Sequence, residues 1–180
     1  MNIIILLSYA FAFSEFILFL VKRSSGRTST TRENRGSLIL LWLTITLGLT
    51  GGFFLSGPIN HFWMGFGSVF LITGLIIRWI AILQLGKSFT VDVAITDKAQ
   101  LKTDGIYARV RHPSYLGILM IVIGFSAAMS SLYSFLVLVI PVFLAILYRI
   151  SIEEELLTRE YGSDYIEYRK TTKKIFPGIY

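Results

Sequence analysis

The run from Phe62 to Leu85 holds twenty-four residues and a single ionisable side chain, Arg78, and that stretch alone excludes most folds. At ~1.5 Å per residue a helix of this length reaches roughly 36 Å, more than the ~30 Å hydrocarbon thickness of a bilayer. A helix apolar on every side has no place on the surface of a soluble domain. Four other apolar runs accompany it: Asn2–Val21, Ser37–Ser56, Ser114–Ala128 and Leu132–Tyr148. Only Met129-Ser130-Ser131 separates the last two, so they form an antiparallel helical hairpin. The fourth run is short for a full crossing. A chain of 180 residues that is 54% apolar and 16% charged, with a mean hydropathy of +0.67, is composed as a membrane protein. The expected fold is all-α: one domain over residues 1–180, a polytopic bundle of five transmembrane helices with a cytoplasmic C-terminal helix.

Charge sets the orientation. The segments 22–36 and 86–113 and the tail from Arg149 hold 16 of the 17 Lys and Arg, and the two remaining connections hold none. Because positive charge stays on the cytoplasmic side, five crossings put the N-terminus outside and the C-terminus in the cytoplasm, in a plasma, inner or endoplasmic reticulum membrane. Met1-Asn2 leads into apolar sequence without a basic leader or a small-residue cleavage site, which reads as a retained span rather than a signal peptide. The net charge of +6 lies along membrane flanks rather than in a groove-sized patch, which argues against nucleic acid. The chain contains no Cys, so it has neither disulfides nor thiolate metal ligands, and its two His fall on opposite sides of the membrane, which makes a metal site unexpected.

Local signals refine this outline. Gly57-Pro58-Ile59-Asn60-His61 reads as a tight turn, 86–113 as a polar irregular segment, and Pro141 as a kink in the fifth span. That span is expected to continue as a helix into the aqueous phase, break near Gly162 and resume before Pro177. Gly48-Leu49-Thr50-Gly51-Gly52 offers small-xxx-small packing, and Tyr161, Tyr165 and Tyr168 have the helical spacing of an interfacial stripe. Glu15 and Arg78 are the only residues within the predicted spans that are charged at neutral pH, at similar depth; either they pair or each snorkels toward the headgroups.

Two polar constellations remain. Asp104-Gly105-Ile106-Tyr107-Ala108-Arg109-Val110-Arg111-His112-Pro113-Ser114-Tyr115-Leu116-Gly117 is rich in donors and turn residues, and it ends where an apolar run begins. Arg149 and Glu153, spaced i to i+4, share a helix face and are followed by Glu154 and Glu155. On an ordinary helix such a pair is a surface ion pair worth a few tenths of a kcal/mol. Here the hairpin returns it to the end where His112 and Tyr115 stand, and three adjacent acids call for a cation.

These residues resemble a known family. Arg78-Trp79-Ile80-Ala81-Ile82-Leu83-Gln84-Leu85-Gly86-Lys87-Ser88-Phe89, Gly105-Ile106-Tyr107, Arg111-His112-Pro113-Ser114-Tyr115-Leu116-Gly117, then Arg149 with Glu153-Glu154, Leu157 and Tyr161-Gly162 are similar to the isoprenylcysteine carboxyl methyltransferases and the related phospholipid methyltransferases. The resemblance covers Leu75 to the C-terminus. It implies an integral membrane enzyme using S-adenosyl-L-methionine at the cytoplasmic face, with a lipid-borne or hydrophobic methyl acceptor entering from the bilayer and a cofactor site drawn from 86–117 and 149–180. Gln100, Leu101, Lys102, Tyr107, His112, Pro113, Ser114, Tyr115 and Glu153 would bind the cofactor, with Asp92 less securely aligned. Arg149 and Arg78 would face the acceptor, and Arg149, Glu153 and Glu154 would be the catalytic set. A carboxylate acceptor is ionised at neutral pH and needs no general base; an amine or thiol would need one, from Glu154 or His112. Membrane sterol reductases using NADPH look similar around Tyr161-Gly162-Ser163-Asp164 and in the Ile175-Phe176-Pro177-Gly178-Ile179-Tyr180 tail, but typically have Asn at the position of Ser114 and an acid at that of Ile118. A non-catalytic transporter or scaffold would place more polar residues along the spans.

Overall fold

The computed structural model describes residues 3–21, 32–86 and 101–178. Its helices are α1 (Ile3–Val21), α2 (Arg32–Phe54), α3 (His61–Leu85), α4 (Pro113–Ala128), α5 (Leu132–Tyr161) and α6 (Ser163–Thr171), with a 3-10 turn at Gly105–Ala108 before α4. Among the described residues there is no strand, only an isolated parallel bridge between Val110 and Lys173. Three helices are long and apolar enough to cross a membrane, over Arg35–Phe54, His61–Leu85 and Leu132–Tyr161; the apolar parts of α1 and α4, Leu6–Leu18 and Pro113–Ala128, are shorter. The protein is a multi-pass membrane protein, and among the described residues three helices meet the length of a full crossing.

Several boundaries move for local reasons. The helix α2 begins at Arg32, inside the stretch expected to be a loop through Gly36, because Arg32-Glu33-Asn34-Arg35 contains good helix formers and no breaker. Asn60 caps α3, its Oδ1 accepting from the backbone N–H groups of Phe62 (3.0 Å) and Trp63 (3.3 Å), so His61 is the first helical residue rather than the end of the turn. Pro113 starts α4 one residue earlier than expected, at the position where a missing N–H costs nothing. The helix α5 runs for 30 residues through Pro141 without interruption. It ends at Gly162, whose φ of 54° favours glycine, and α6 follows at once.

Packing is driven by backbone approach. A Cβ added at Gly74 would lie 2.7 Å from the carbonyl oxygen of Gly117, and one at Gly117 would lie 2.8 Å from that of Gly74; Gly67 and Gly124 repeat the contact at 2.5 and 2.6 Å. Two glycines seven residues apart on α3 thus face two on α4 in antiparallel order. In lipid, where side-chain burial gives little drive for association, such close approach supplies dispersion contact along the whole seam. The small-residue stretch of α2 does the same against α5. A Cβ at Gly48 would meet Leu138 Cα at 3.1 Å, and Ser134 donates to the Gly52 carbonyl at 2.7 Å. Leu71, Ile121, Leu138, Val142 and Ile146 fill the core, whereas Phe13, Leu47, Val69, Leu83 and Leu144 face outward, the arrangement expected of a lipid-solvated surface.

Glu15 and Arg78 pair. Arg78 donates from Nε to Glu15 Oε1 (2.5 Å) and from Nη2 to Oε2 (2.7 Å), and its Nη1 donates to Ser114 Oγ (2.9 Å). Both side chains are nearly excluded from the surface, so the pair replaces snorkelling and ties α1 to α3 and α4.

Two outcomes follow for the purified protein in detergent. Gly117→Ala is expected to lower stability by about 1–3 kcal/mol, because its Cβ meets backbone that must move, while Gly65→Ala, a helical glycine whose Cβ would meet only open space, is expected to hold or raise it. Thermal unfolding of the two variants side by side checks this. Glu15→Gln strands the Arg78 charge and should cost about 3–5 kcal/mol, whereas Glu15→Gln with Arg78→Met should recover most of the loss; a melting temperature unmoved by the single change would dissolve the pair.

Candidate functional site

The two constellations meet at the end of the bundle where α4 begins and α5 leaves its apolar stretch. His112, Ser114 and Tyr115 enter from the first turn of α4, and Arg149, Glu153 and Glu154 come from consecutive turns of α5. The Nδ1 of His112 lies 3.8 Å from Glu153 Oε2, and its Nε2 lies 3.4 Å from Glu154 Oε1.

Glu154 is the centre of a closed charge cluster. Arg111 Nε donates to its Oε1 at 2.9 Å, and Lys174 and Arg169 stand at 3.7 and 3.9 Å from Oε2. The Nη1 of Arg111 also donates to the carbonyl oxygens of Thr172 and Arg169. The backbone completes the junction: Arg111 N–H donates to the Lys173 carbonyl (2.8 Å), His112 N–H to that of Lys174 (3.0 Å), and Lys173 N–H to that of Arg109 (3.3 Å). The residues after α6 therefore strap the Arg111-His112 segment onto α5, and fully buried Ile175 anchors the strap.

Glu153, one residue earlier, lies differently. Its Oε2 is buried and accepts no hydrogen bond, although the His112 ring and the Tyr115 hydroxyl are close to the carboxylate. Arg149, a full turn before it, is 2% exposed and donates from Nε to the Tyr115 hydroxyl (2.8 Å) and from Nη1 to Ser37 Oγ (3.0 Å). Tyr115 consequently stands between a buried guanidinium and a half-buried carboxylate. Such a site presents one acceptor-only group and one donor-only group a short distance apart in a medium of low dielectric.

Tyrosines form the outer wall. Tyr107 donates to the Ala81 carbonyl (3.2 Å), which fixes the 3-10 turn against α3, and Tyr168 donates to the Tyr107 carbonyl (2.6 Å). The Ile106 N–H is capped by Gln84 Oε1 at 2.9 Å. Burial pushes the Tyr107 hydroxyl up, with the Glu153 charge adding to it; burial also raises Tyr165, assisted by Glu154 and opposed by Arg111. Tyr168 is pushed up to about 12 by burial, against the pull of Arg111. All three therefore remain protonated donors at neutral pH. On the exposed side, Lys102 hydrogen-bonds to Asp104 at 2.8 Å and holds that carboxyl below its ordinary range.

Of the residues singled out in the sequence, the structure gathers Tyr107, His112, Pro113, Ser114, Tyr115, Arg149, Glu153 and Glu154 at one end of the bundle. Leu101 and Lys102 are half-buried on the approach to the 3-10 turn, and Gln100 and Asp92 lie outside the described residues. Arg78 is engaged on each of its three nitrogens by Glu15 and Ser114. The tyrosine stripe is a correction: Tyr165 and Tyr168 are buried rather than interfacial, because α6 folds back onto the 105–112 segment. Ser37 went unrecognised, since a serine at the start of an apolar run carries no signal of its own. The glycines of the α3–α4 seam also went unrecognised, only Gly48-Leu49-Thr50-Gly51-Gly52 having the spacing read as packing.

Comparison with known proteins agrees with this arrangement. The family described as "Isoprenylcysteine carboxyl methyltransferase (ICMT) family" matches residues 67–159, just over half of the chain. Protein-S-isoprenylcysteine O-methyltransferase A of Arabidopsis thaliana is 28% identical over 174 residues, covering 94% of this chain and 88% of the relative. The Schizosaccharomyces pombe protein-S-isoprenylcysteine O-methyltransferase is 36% identical over 112 residues, 61% of this chain and 48% of its own. A solved structure of the eukaryotic intramembrane Ras methyltransferase ICMT superposes with a TM-score of 0.69 at 22% identity, covering 96% of this chain but only 64% of that one. These relatives are methyltransferases, which favours neither the nicotinamide reductase nor the transporter or scaffold. The chain belongs to the isoprenylcysteine carboxyl methyltransferase family, a family of S-adenosylmethionine-dependent membrane methyltransferases.

Proposed function

We propose that this protein transfers a methyl group from S-adenosyl-L-methionine to the carboxylate of a lipid-borne or hydrophobic acceptor, of the isoprenylcysteine type, at the cytoplasmic face of the membrane. The observation that carries the reading is the junction of His112 with Glu153 and Glu154, which joins two stretches forty residues apart into one buried polar site beside lipid. Five crossings with the C-terminus in the cytoplasm complete the picture: α1 and α4 cross as shorter spans, and the positive segments all lie on the site's side of the membrane.

The residues present fit the donor. Glu153 Oε2 is a buried carboxylate oxygen with no hydrogen-bond partner, suited to an ammonium or a ribose hydroxyl, and Tyr107, His112, Pro113, Ser114 and Tyr115 offer ring faces and hydroxyls beside it. When bound, S-adenosylmethionine supplies an electrophilic methyl on a cationic sulfonium. Leu101 and Lys102, half-buried on the approach to the 3-10 turn, would extend the same binding wall; Gln100, outside the described residues, is assigned to it by the resemblance alone.

Arg149 aims the acceptor. Its guanidinium is always charged and fits a carboxylate edge-on, and the bonds to Tyr115 and Ser37 fix the plane in which an acceptor oxygen would be received. Because the acceptor is ionised at neutral pH, no residue has to remove a proton. Glu154, committed to Arg111 and the tail, contributes by holding His112 in place. A water-poor pocket favours a reaction in which opposite charges cancel, and burial of Arg149 at the end of the apolar stretch provides one. Arg78, held by Glu15, would act at the acceptor side through Ser114.

Calorimetric titration of the purified protein with S-adenosylhomocysteine and, separately, NADPH tests the donor: the first is expected to bind and the second not, and the reverse pattern would reassign the site. Arg149→Lys keeps the charge and loses the planar fork, so turnover should fall roughly 100-fold with little change in S-adenosylhomocysteine affinity, whereas Glu153→Gln should weaken that affinity itself. Equal loss of affinity in both variants would show the roles to be wrongly divided.

A further inference from the structure

Among the described residues three buried polar side-chain atoms lack a hydrogen-bond partner: Ser130 Oγ, Glu153 Oε2 and Tyr165 Oη. Ser130 lies in the α4–α5 turn, at the opposite end of the bundle, where a positive φ of 53° accompanies a strained connection. The other two belong to the site. Tyr165 is 1% exposed, among the most deeply buried large side chains in the protein, and a buried hydroxyl left unpaired costs ~1–3 kcal/mol.

The neighbours explain why these two groups are left over. Tyr168, whose ring lies 6.0 Å from that of Tyr165, commits its hydroxyl to the Tyr107 carbonyl. Glu154 is surrounded by Arg111, His112, Lys174 and Arg169. Tyr165 belongs to α6, whose Tyr168 is bonded to the Tyr107 carbonyl and whose Arg169 lies 3.9 Å from Glu154, the neighbour of Glu153, so the hydroxyl and the orphaned carboxylate oxygen belong to the same junction. A carboxylate oxygen only accepts, and a phenol donates readily. A ligand that satisfies both must present a donor and an acceptor, as the ammonium and carboxylate of an α-amino acid do.

We propose that Tyr165 and Glu153 together clasp the zwitterionic amino-acid end of the methyl donor, Glu153 Oε2 accepting from its ammonium and the Tyr165 hydroxyl donating to its carboxylate. This rests on the donor reading above and adds a donor-binding residue from α6, the element that sequence spacing assigned to an interfacial stripe. Tyr165 selects the amino-acid half of the donor rather than its adenosine half.

Tyr165→Phe removes one oxygen that has no partner in the unliganded protein. That gives the variant a signature a structural role would not produce: thermal stability without ligand is unchanged or raised, while affinity for S-adenosylhomocysteine falls about 5- to 30-fold. Affinity for 5′-methylthioadenosine, which lacks the amino-acid group, stays equal to that of the unaltered protein. Calorimetric titrations of both ligands into both proteins, with melting curves of each, read all of these. Equal S-adenosylhomocysteine affinity overturns the inference. So does an equal loss for both ligands, which would move Tyr165 to the ribose, and so does a fall in melting temperature that accounts for the lost affinity. If the unaltered protein binds no S-adenosylhomocysteine, the donor reading fails first and takes this clasp with it.

Discussion

The Arg111–Glu154 contact holds together three parts of the chain that would otherwise be independent. Arg111 belongs to the segment leading into α4, Glu154 to the continuation of α5, and the carbonyls of Arg169 and Thr172 that Arg111 also reaches belong to α6 and the strap after it. With Arg111 facing it, and Lys174 and Arg169 nearby, the Glu154 carboxylate is compensated well enough to remain buried, which an isolated carboxylate would not be. Once these parts are fixed, His112 is delivered to Glu153 and Tyr115 to Arg149 without further constraint. The site is therefore a consequence of the ion pair's geometry, and its precision derives from a residue that touches neither proposed substrate.

Placing that junction at the right height requires α3 and α4 to be in register, and glycine sets the register. Gly67 with Gly124 and Gly74 with Gly117 allow the two backbones to meet at distances that exclude any side chain, so sliding one helix along the other by a residue would drive a Cβ into a carbonyl. The Arg78–Ser114 hydrogen bond adds a polar lock one turn further toward the site. A charge at this depth is costly, by ~2.5–3.5 kcal/mol on insertion scales, and Glu15 compensates it with two parallel hydrogen bonds. The first helix, which carries none of the family's motif, thereby acquires a structural duty toward α4.

Much of this was legible in the amino-acid sequence, and the limits were physical. Apolar run length located every helix of the bundle, and Gly162 announced the break after α5, because both signals are local. Cap geometry was less visible: Asn60 and Pro113 shifted boundaries by a residue, and polar Arg32–Arg35 turned out to extend α2 because helix propensity outweighed polarity there. Apolar length decides the crossing for α2, α3 and α5 but not for α1 and α4, since a stretch of α4's length is compatible with either a thin crossing or a buried hairpin arm. Tyr165 and Tyr168 were misplaced because a three-to-four residue spacing reports a shared face and not what covers it; the cover came from residues sixty positions away. The pairing of Glu15 with Arg78 was open for the same reason, as depth permits a contact but only tertiary structure makes one. Gln100 and Asp92 lie outside the described residues.

Where the groups of the site sit, relative to one another, bears on why a membrane border suits this chemistry. Arg149 is buried at the end of an apolar helix, facing Ser37 at the entrance to α2, so a carboxylate arriving on a lipid stem would reach it without crossing bulk water. Glu153 is one turn nearer the aqueous end, where a polar donor arriving from solution would be received. Tyr115 bridges the two, its hydroxyl beside both the guanidinium and the carboxylate. On the proposed assignment, a helical turn of ~5.4 Å would separate the place for a greasy substrate from the place for a soluble one, and α5 itself would set their meeting point. Binding from two phases and alignment in a single displacement become one structural requirement, and an i, i+4 pair on a helix that leaves the membrane is a simple way to meet it.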